Sequence, residues 1–191
     1  METSSARHTE ISVEPLFLHR WSPRSFSAEA VDPEALASMF EAARWSPSCF
    51  NAQPWLFVHA SRGPGHERVL ELLGEANQGW AGQAPVLGVV FARRRFEHND
   101  QPNPWAAFDA GAAALAMSLQ GQSRGLSTHL MGGFDAERAP AALGLDPADY
   151  QAVAAYAIGK RGPREALPAE PAERAHPSAR HPLAEVAPEL G

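Results

Sequence analysis

Residues 45–55 read "WSPSCFNAQPW" and join a predicted helix to the predicted strand "WLFVHA". The connection holds prolines, hydroxyl groups at Ser46 and Ser48, and amides at Asn51 and Gln53. A simple turn needs only residues that favour its backbone. Amide side chains offer donor and acceptor together, as the edge of a heteroaromatic ring requires. We therefore interpret the loop as the wall of a binding pocket. A buried loop whose amides satisfy its own backbone is an equally good interpretation.

The segments on either side of this loop alternate between helix and strand patterns. Asp32 and Pro33 match an N-cap and a first-turn proline, and apolar residues at helical spacing continue to about Arg44. Further along, "APVLGVVFA" has the length and continuous apolar character of a strand buried on both faces. The other predicted elements are helices over about 65–74, 105–119 and 135–143, and strands over 126–131 and 152–159. The alternation predicts an α/β or α+β arrangement around a mixed sheet.

The predicted helix over 105–119 is apolar on almost every side. Such a helix must be covered all round, which a chain of 191 residues can hardly do alone. A partner subunit, and therefore a homodimer, is predicted. We expect one domain over 1–191, with its core over about 14–165. A proline-rich tail over about 166–191 is expected to pack on the partner subunit.

Composition excludes several functional classes. The formal charge of −6 argues against nucleic acid as a partner. No apolar run is long enough for a membrane span, and a single cysteine, Cys49, cannot form an internal disulfide. The eight histidines lack metal-ligand spacing, so no metal site is expected. Neither G-x-G-x-x-G nor a Walker A sequence is present. These features predict a cytoplasmic protein.

Two other stretches could carry chemistry. "HRWSPRSF" spaces Arg20, Ser22 and Arg24 two apart, which in an extended segment directs their side chains to one side and forms an anion site. Taken alone, a solvated basic edge is the better interpretation. "LMGGFD" places Gly132 and Gly133 at the end of a strand, where a ligand could approach the backbone, although an ordinary turn is equally consistent. Catalysis by Cys49 is not predicted, because no base lies near it in sequence.

In this order and spacing, the segments resemble the FMN-dependent nitroreductase family. The resemblance extends over most of the chain, and its most specific part is "SPSxxNxQPW" at 46–55. The other shared motifs are "R-x-S-x-R-x-F" at 20–26, "N-x-x-W…APV" at 77–86, "GGFD" at 132–135 and "R-x-P-L-x-E" at 180–185. It implies an α+β fold in which helices wrap a mixed β-sheet. It also implies a homodimer with FMN sites at the subunit interface.

The resemblance further implies a role for each motif residue. Arg20, Trp21 and Ser22 would hold the phosphate end of FMN together with Arg180, and Arg24 would support the N1/O2 edge of the ring. No side chain is implied as a catalytic acid or base. The remaining implied contacts are Asn77 at the pyrimidine edge, Pro47 and Ser48 from the partner chain, Asn51 and Gln53 as pocket or loop-support groups, and the strand end Met131, Gly132 and Gly133 at N5 and O4.

The implied activity is ping-pong oxidoreduction, in which NADH or NADPH reduces the flavin and a nitroaromatic, quinone or similar small molecule reoxidises it. The alternatives are an FMN-binding protein for storage, sensing or flavin breakdown and, less favoured, an anion-binding regulatory module without flavin. Two departures from the family pattern bear on this choice. A tail position that is often basic is Ser178 here, and the short segment "RRRFEHNDQPN" stands where a helical lid is often found.

Overall fold

The structure is a computed structural model that describes residues 7, 9–167 and 169–190. Its strands are β1 Trp55–Ser61, β2 Val86–Arg93, β3 Ser127–Met131 and β4 Tyr150–Gly159. Its main helices are α1 Pro15–His19, α2 Pro33–Arg44, α3 Pro64–Leu72, α4 Glu75–Ala81 and α5 Ala106–Ser123. Shorter helices follow as α6 Ala139–Ala142, α7 Ala169–Glu173 and α8 Leu183–Val186. The α+β class is confirmed.

The four strands form one sheet in the order β1-β2-β4-β3, and every neighbouring pair is antiparallel. A mixed sheet, with both parallel and antiparallel neighbours, was predicted, and the fully antiparallel order within this chain corrects that prediction. The reason lies in the connections. Helix α5 carries the chain from β2 to β3 in the same direction, but β4 inserts between them and runs opposite to both. Strands of equal direction are therefore never neighbours.

Helices cover the sheet on both faces. On one face, α2 and α5 pack through Met39, Ala113 and Met117 against Val90. On the other face, α3 and α4 pack against β2, with Trp80 among the buried residues. Strand β2 is buried along 86–92, as its continuous apolar run predicted. Burying such a strand on both sides is the main apolar contribution to the core.

Local backbone chemistry explains which boundaries were predicted correctly. Helix α2 begins where expected because the Asp32 carboxylate accepts a hydrogen bond from the Ala35 amide at 2.9 Å. The helix predicted over 65–74 is α3, which ends at Leu72 because Leu73 is extended and the Gly74 amide donates to the Gly133 carbonyl oxygen at 2.9 Å. Helix α4, which begins directly after Gly74, was not predicted. The helix predicted over 135–143 is helical only at Ala139–Ala142, following turn residues.

Its own chain covers helix α5 on only one side. Ala106, Ala113 and Met117 are fully buried, whereas Phe108 is 75% exposed and Leu115 is 47% exposed. The sequence predicted a helix that needs cover all round, and the described part of this chain supplies half of that cover. None of the described helices has the length and apolar character needed to cross a membrane.

Candidate functional site

A cavity of about 390 Å³ lies where the two ends of the described chain meet. We call it the arginine cavity. It is lined by residue 7, by the segments 20–24 and 174–180, and by one residue of β3. The lining residues are Arg7, Arg20, Trp21, Ser22, Arg24, His129, Arg174, His176, Ser178 and Arg180. The structure thus brings together Arg180 and the motif residues of 20–24. Their separation by more than a hundred residues of sequence makes this juxtaposition a property of the fold.

The charged side chains that line the arginine cavity are all positive. Five arginines line it, and no carboxylate is present among the described lining residues. Burial lowers the pKa of Arg20, and the nearby positive charge of Arg180 lowers it further. The pKa of Arg7 is also lowered, first by burial and then by the charges of Arg180 and Arg20. Like charges held this close favour binding of an anion, and guanidinium groups match the oxygen geometry of phosphate or carboxylate.

Hydrogen bonds to backbone carbonyls hold the segments of the cavity together. Arg7 donates from Nη1 to the Arg20 oxygen at 2.6 Å and from Nε to the Ser178 oxygen at 3.0 Å. Arg24 donates from Nη1 to the Arg174 oxygen at 3.2 Å. The tail therefore folds back onto the 20–24 segment of its own chain. Its predicted packing on a partner subunit stays a prediction.

In a solvated basic edge, Arg24 would pair with a surface carboxylate such as Glu29. In the structure, the Glu29 carboxylate instead accepts a 2.6 Å hydrogen bond from the Lys160 ammonium group. Arg24 faces the arginine cavity. Its guanidinium therefore lines the same cavity as Arg20 and Ser22, as the two-residue spacing predicts for an extended segment.

His129 is a cavity residue that sequence reasoning missed. Its Nδ1 lies 2.8 Å from the Pro23 carbonyl oxygen, which can only accept, so Nδ1 carries the proton. The ring packs against Trp80 with centroids 4.6 Å apart. Burial lowers the His129 pKa to about 4, with a further contribution from the charge of Arg24. A neutral imidazole thus lines the cavity near pH 7. The only sequence signal was a histidine within a predicted strand.

His129 should make the protein less stable as the pH falls from about 6.5 to about 4. The unfolded chain titrates near 6.5 and the folded chain near 4, so the unfolded chain binds the extra proton within this window. The stabilisation is therefore complete above pH 6.5 and lost towards pH 4, by about 3 kcal/mol in total. Urea unfolding across this range should show a shallower pH slope for His129→Asn. Equal slopes in both proteins would contradict the assignment.

The strand end at Met131 and the start of α4 form a second cluster of motif residues. Asn77 donates from Nδ2 to the Gly133 oxygen at 2.9 Å. A Cβ atom on Gly133 would lie 2.9 Å from this same nitrogen, so a larger residue there would displace the Asn77 side chain. A Cβ on Gly132 would meet only open space, whereas Met131 is buried. This cluster is separate from the lining of the arginine cavity.

The loop before β1 is held by its own hydrogen bonds. Ser48 accepts at Oγ from the Gln53 amide at 2.9 Å, and the Gln53 side-chain nitrogen donates to the Asn51 oxygen at 3.1 Å. The buried carboxylate of Asp109 accepts from the Cys49 amide at 3.1 Å, an anchor that sequence reasoning missed. The Gln53 side-chain bond agrees with the alternative in which amides satisfy the loop's own backbone, but Asn51 and Gln53 are exposed, so the loop is not a buried one.

The same loop has an unusual backbone. Phe50, Asn51 and Gln53 have φ values of 52°, 55° and 46°, in the left-handed region. Non-glycine residues take this region rarely and at a cost, so the surrounding bonds must impose it. One result is that the Phe50 side chain is 81% exposed. The loop thus presents an aromatic ring at the surface beside the exposed Asn51 and Gln53.

The sheet order separates this loop from the arginine cavity. The loop enters β1 at one edge of the sheet, and His129 lies on β3 at the other edge. Three strand spacings place the two edges about 14 Å apart. Pro47 and Ser48 do not line the cavity of their own chain. Their predicted action on the site of a partner chain stays a prediction.

Among the described residues, no group of three or more metal-ligating side chains is close enough to hold an ion.

Comparison with known proteins identifies the family of this chain. The nitroreductase family model matches residues 18–78 and 65–160, which include the 20–24 segment, the loop before β1 and the strand end at 131–133. This chain belongs to the nitroreductase family.

Individual relatives of this nitroreductase-family protein agree with that assignment. A Streptomyces coelicolor protein named as a candidate NADH dehydrogenase/NAD(P)H nitroreductase is 33% identical over 84 residues, or 44% of this chain and 42% of the relative. A Ralstonia nicotianae protein with a similar name is 28% identical over 127 residues, or 56% of this chain and 65% of the relative. The matched parts thus span less than two thirds of either relative.

Solved structures match over almost the whole chain. A crystal structure of an oxidoreductase containing FMN shares 39% identity, with a TM-score of 0.91, over 98% of this chain and 96% of that one. A candidate nitroreductase from Desulfovibrio desulfuricans in complex with FMN shares 27% identity, with a TM-score of 0.75, over 94% of this chain and 99% of that one. The nitroreductase fold therefore accounts for the tail as well as the core.

Proposed function

We propose that this protein is an FMN-dependent NAD(P)H oxidoreductase that reduces nitroaromatic, quinone or related small acceptors. The observation that carries the proposal is the arginine cavity, where five arginines surround a space of about 390 Å³ without a carboxylate among the described lining residues. A phosphate group fits this charge and donor set. The relatives and FMN-containing structures supply the rest of the argument. The single cysteine agrees with a cytoplasmic location.

Different groups of residues would contact different parts of FMN. Arg20, Trp21, Ser22 and Arg180 would hold its phosphate end, and Arg24 would lie at the N1/O2 edge of the ring. At the C-terminal end of β3, Asn77 would contact the pyrimidine edge, and the strand end at 131–133 would face N5 and O4. This arrangement is supported by the position of Arg24 in the cavity and by the hydrogen bond that joins Asn77 to Gly133 at the strand end.

When bound, FMN would accept a hydride from NADH or NADPH and pass the electrons to an acceptor that occupies the same place in turn. The protein's part is binding, orientation and electrostatics. A guanidinium fixed at the N1/O2 edge favours negative charge there, which is preorganised stabilisation. The neutral His129 imidazole, which donates to a backbone carbonyl, positions the segment before Arg24 and leaves the net charge of the cavity unchanged.

The function is tested on purified protein. A yellow protein with bound FMN that oxidises NADH or NADPH when a nitroaromatic or quinone is added would support the proposal. Bound FMN without turnover across an acceptor screen would support the FMN storage, sensing or breakdown alternative. A colourless protein that does not bind added FMN would contradict both.

The protein should be a homodimer with no stable folded monomer. The exposed apolar face of α5, with Trp105 55% and Phe108 75% exposed, needs a cover that its own chain lacks, and contiguous apolar surface of this kind marks interfaces. A dimer would also bring the loop before β1 to the cavity of the other chain. Sedimentation should give twice the chain mass of 20.5 kDa. Phe108→Glu should dissociate the dimer, whereas Arg68→Glu on α3 should not. A folded monomer of the parent protein at micromolar concentration would contradict this.

A further inference from the structure

Arg7 lies at the centre of the arginine cavity's hydrogen bonds, although it belongs to no motif. Its guanidinium donates through Nη1 to the backbone carbonyl oxygen of Arg20 at 2.6 Å and through Nε to the backbone carbonyl oxygen of Ser178 at 3.0 Å. A third contact, from Nη1 to the Leu18 oxygen, is longer at 3.4 Å. One planar group therefore joins the tail to the segment before α2. The fork of an arginine can bind two such acceptors at once, whereas a lysine offers a single point of donation.

The contact between Arg7 and the tail also affects Arg180, the tail residue predicted to bind phosphate. Ser178 accepts from Arg180 Nη1 at both its hydroxyl, at 3.0 Å, and its carbonyl oxygen, at 3.2 Å. Arg7 therefore fixes the residue that in turn orients Arg180. The tail position where a basic residue is often found in the family is Ser178 here, and Arg7 brings a guanidinium to that same position.

Holding the tail in this place concentrates positive charge. Arg7, Arg20 and Arg180 are close enough that each pair repels: burial and then the charges of Arg180 and Arg20 lower the pKa of Arg7, and Arg180 also lowers the pKa of Arg20. No described lining residue carries a compensating negative charge. An anion in the cavity would remove the repulsion. Tail docking and anion binding should therefore favour each other, because each lowers the free-energy cost of the other.

We propose that Arg7 is a positioning residue that docks tail residues 178–180 onto residues 20–24 and so completes a phosphate-binding site. The identity of the ligand as FMN rests on the proposed function above. The geometry assigns Arg7 both a charge and a bridging role. These two roles can be separated, because Arg7→Lys keeps the charge and loses the fork.

The test compares FMN with riboflavin, which has the same ring system but no phosphate. Arg7→Ala should weaken FMN binding about tenfold or more and change riboflavin binding little, as measured by flavin fluorescence titration. Hydrogen exchange of residues 174–180 should become faster. Arg7→Lys should recover part of the FMN affinity but not the exchange protection. Arg68→Ala, which removes an exposed arginine from α3, is the matched control.

Three outcomes decide the proposal. Equal losses of FMN and riboflavin affinity would mean a general structural effect and overturn the phosphate role. Unchanged FMN affinity and unchanged exchange of the tail in Arg7→Ala would overturn the proposal entirely. If the parent protein binds no FMN, the proposed function fails. The docking role is then decided by tail exchange alone: faster exchange in Arg7→Ala than in the parent supports it, and equal exchange overturns it.

Discussion

A chain that ends at Ala172 should bind FMN about a hundredfold or more weakly than the 191-residue protein. The truncation removes four residues that line the arginine cavity, among them Arg174 and Arg180. A charge-assisted hydrogen bond to phosphate is worth roughly 1.5–3 kcal/mol, which is a factor of about ten to a hundred in affinity for Arg180 alone. Titration of flavin fluorescence measures the loss.

The truncated chain should lose much less stability than affinity. Between residues 173 and 190 only Ala175 and Pro177 are partly buried and the rest are exposed. Removing this segment therefore costs little buried apolar surface, and the free energy of unfolding should fall by only about 1 kcal/mol. A chain that ends at Ala187 is the matched control, because it shortens the tail and keeps every lining residue. Arg180→Ala with unchanged FMN affinity would remove Arg180 from the site.

The variant Arg24→Ala should keep its FMN but lower the midpoint potential by roughly 30–65 mV. The N1/O2 edge is nearly neutral in oxidised flavin and negative in the two-electron reduced anion. A guanidinium at that edge therefore stabilises the reduced form more than the oxidised form, and its loss removes differential stabilisation. The range follows from a contact of about 1.5–3 kcal/mol at 30 mV per 1.4 kcal/mol. Hydride transfer from NAD(P)H should slow in parallel.

Two control variants separate this effect from simple binding. Arg20→Ala should chiefly weaken FMN binding, because its predicted contact is to phosphate, whose charge does not change on ring reduction. Arg24→Lys retains the charge and should lower the potential by less than Arg24→Ala does. Anaerobic redox titration of the variants and the parent measures all four potentials. Equal potentials in Arg24→Ala and the parent would defeat the assignment of Arg24 to the ring edge.

Local sequence signals were sufficient for much of the fold. Helix α2 was predicted from its N-cap at Asp32, and β2 from a continuous apolar run, because both signals act within the element itself. Helix α4 after Gly74 was not predicted, since the turn that separates it from α3 includes a hydrogen bond from Gly74 to Gly133, far along the chain. The absence of parallel neighbours in the sheet also depends on where β4 inserts, which no local pattern specifies.

The candidate site divides in the same way. The two-residue spacing of Arg20, Ser22 and Arg24 indicated an anion site, although a solvated basic edge was the better interpretation of that segment alone. Arg180 entered only through the family resemblance. Arg7 and His129 were missed, because carbonyl acceptors on distant segments place them, at the Arg20 and Pro23 oxygens respectively. Main-chain acceptors are the same for every residue type, so they leave no mark on the sequence.

The arginine cavity draws on residue 7 and on residues as late as 180. During synthesis on the ribosome, a growing chain therefore has its core strands before it has the residues that complete the cavity. Under the proposed function, tight capture of FMN must wait until translation has passed Arg180 and the tail has docked. Cofactor loading would then be among the last steps of maturation, and a polypeptide released early would fold around its sheet yet remain without flavin.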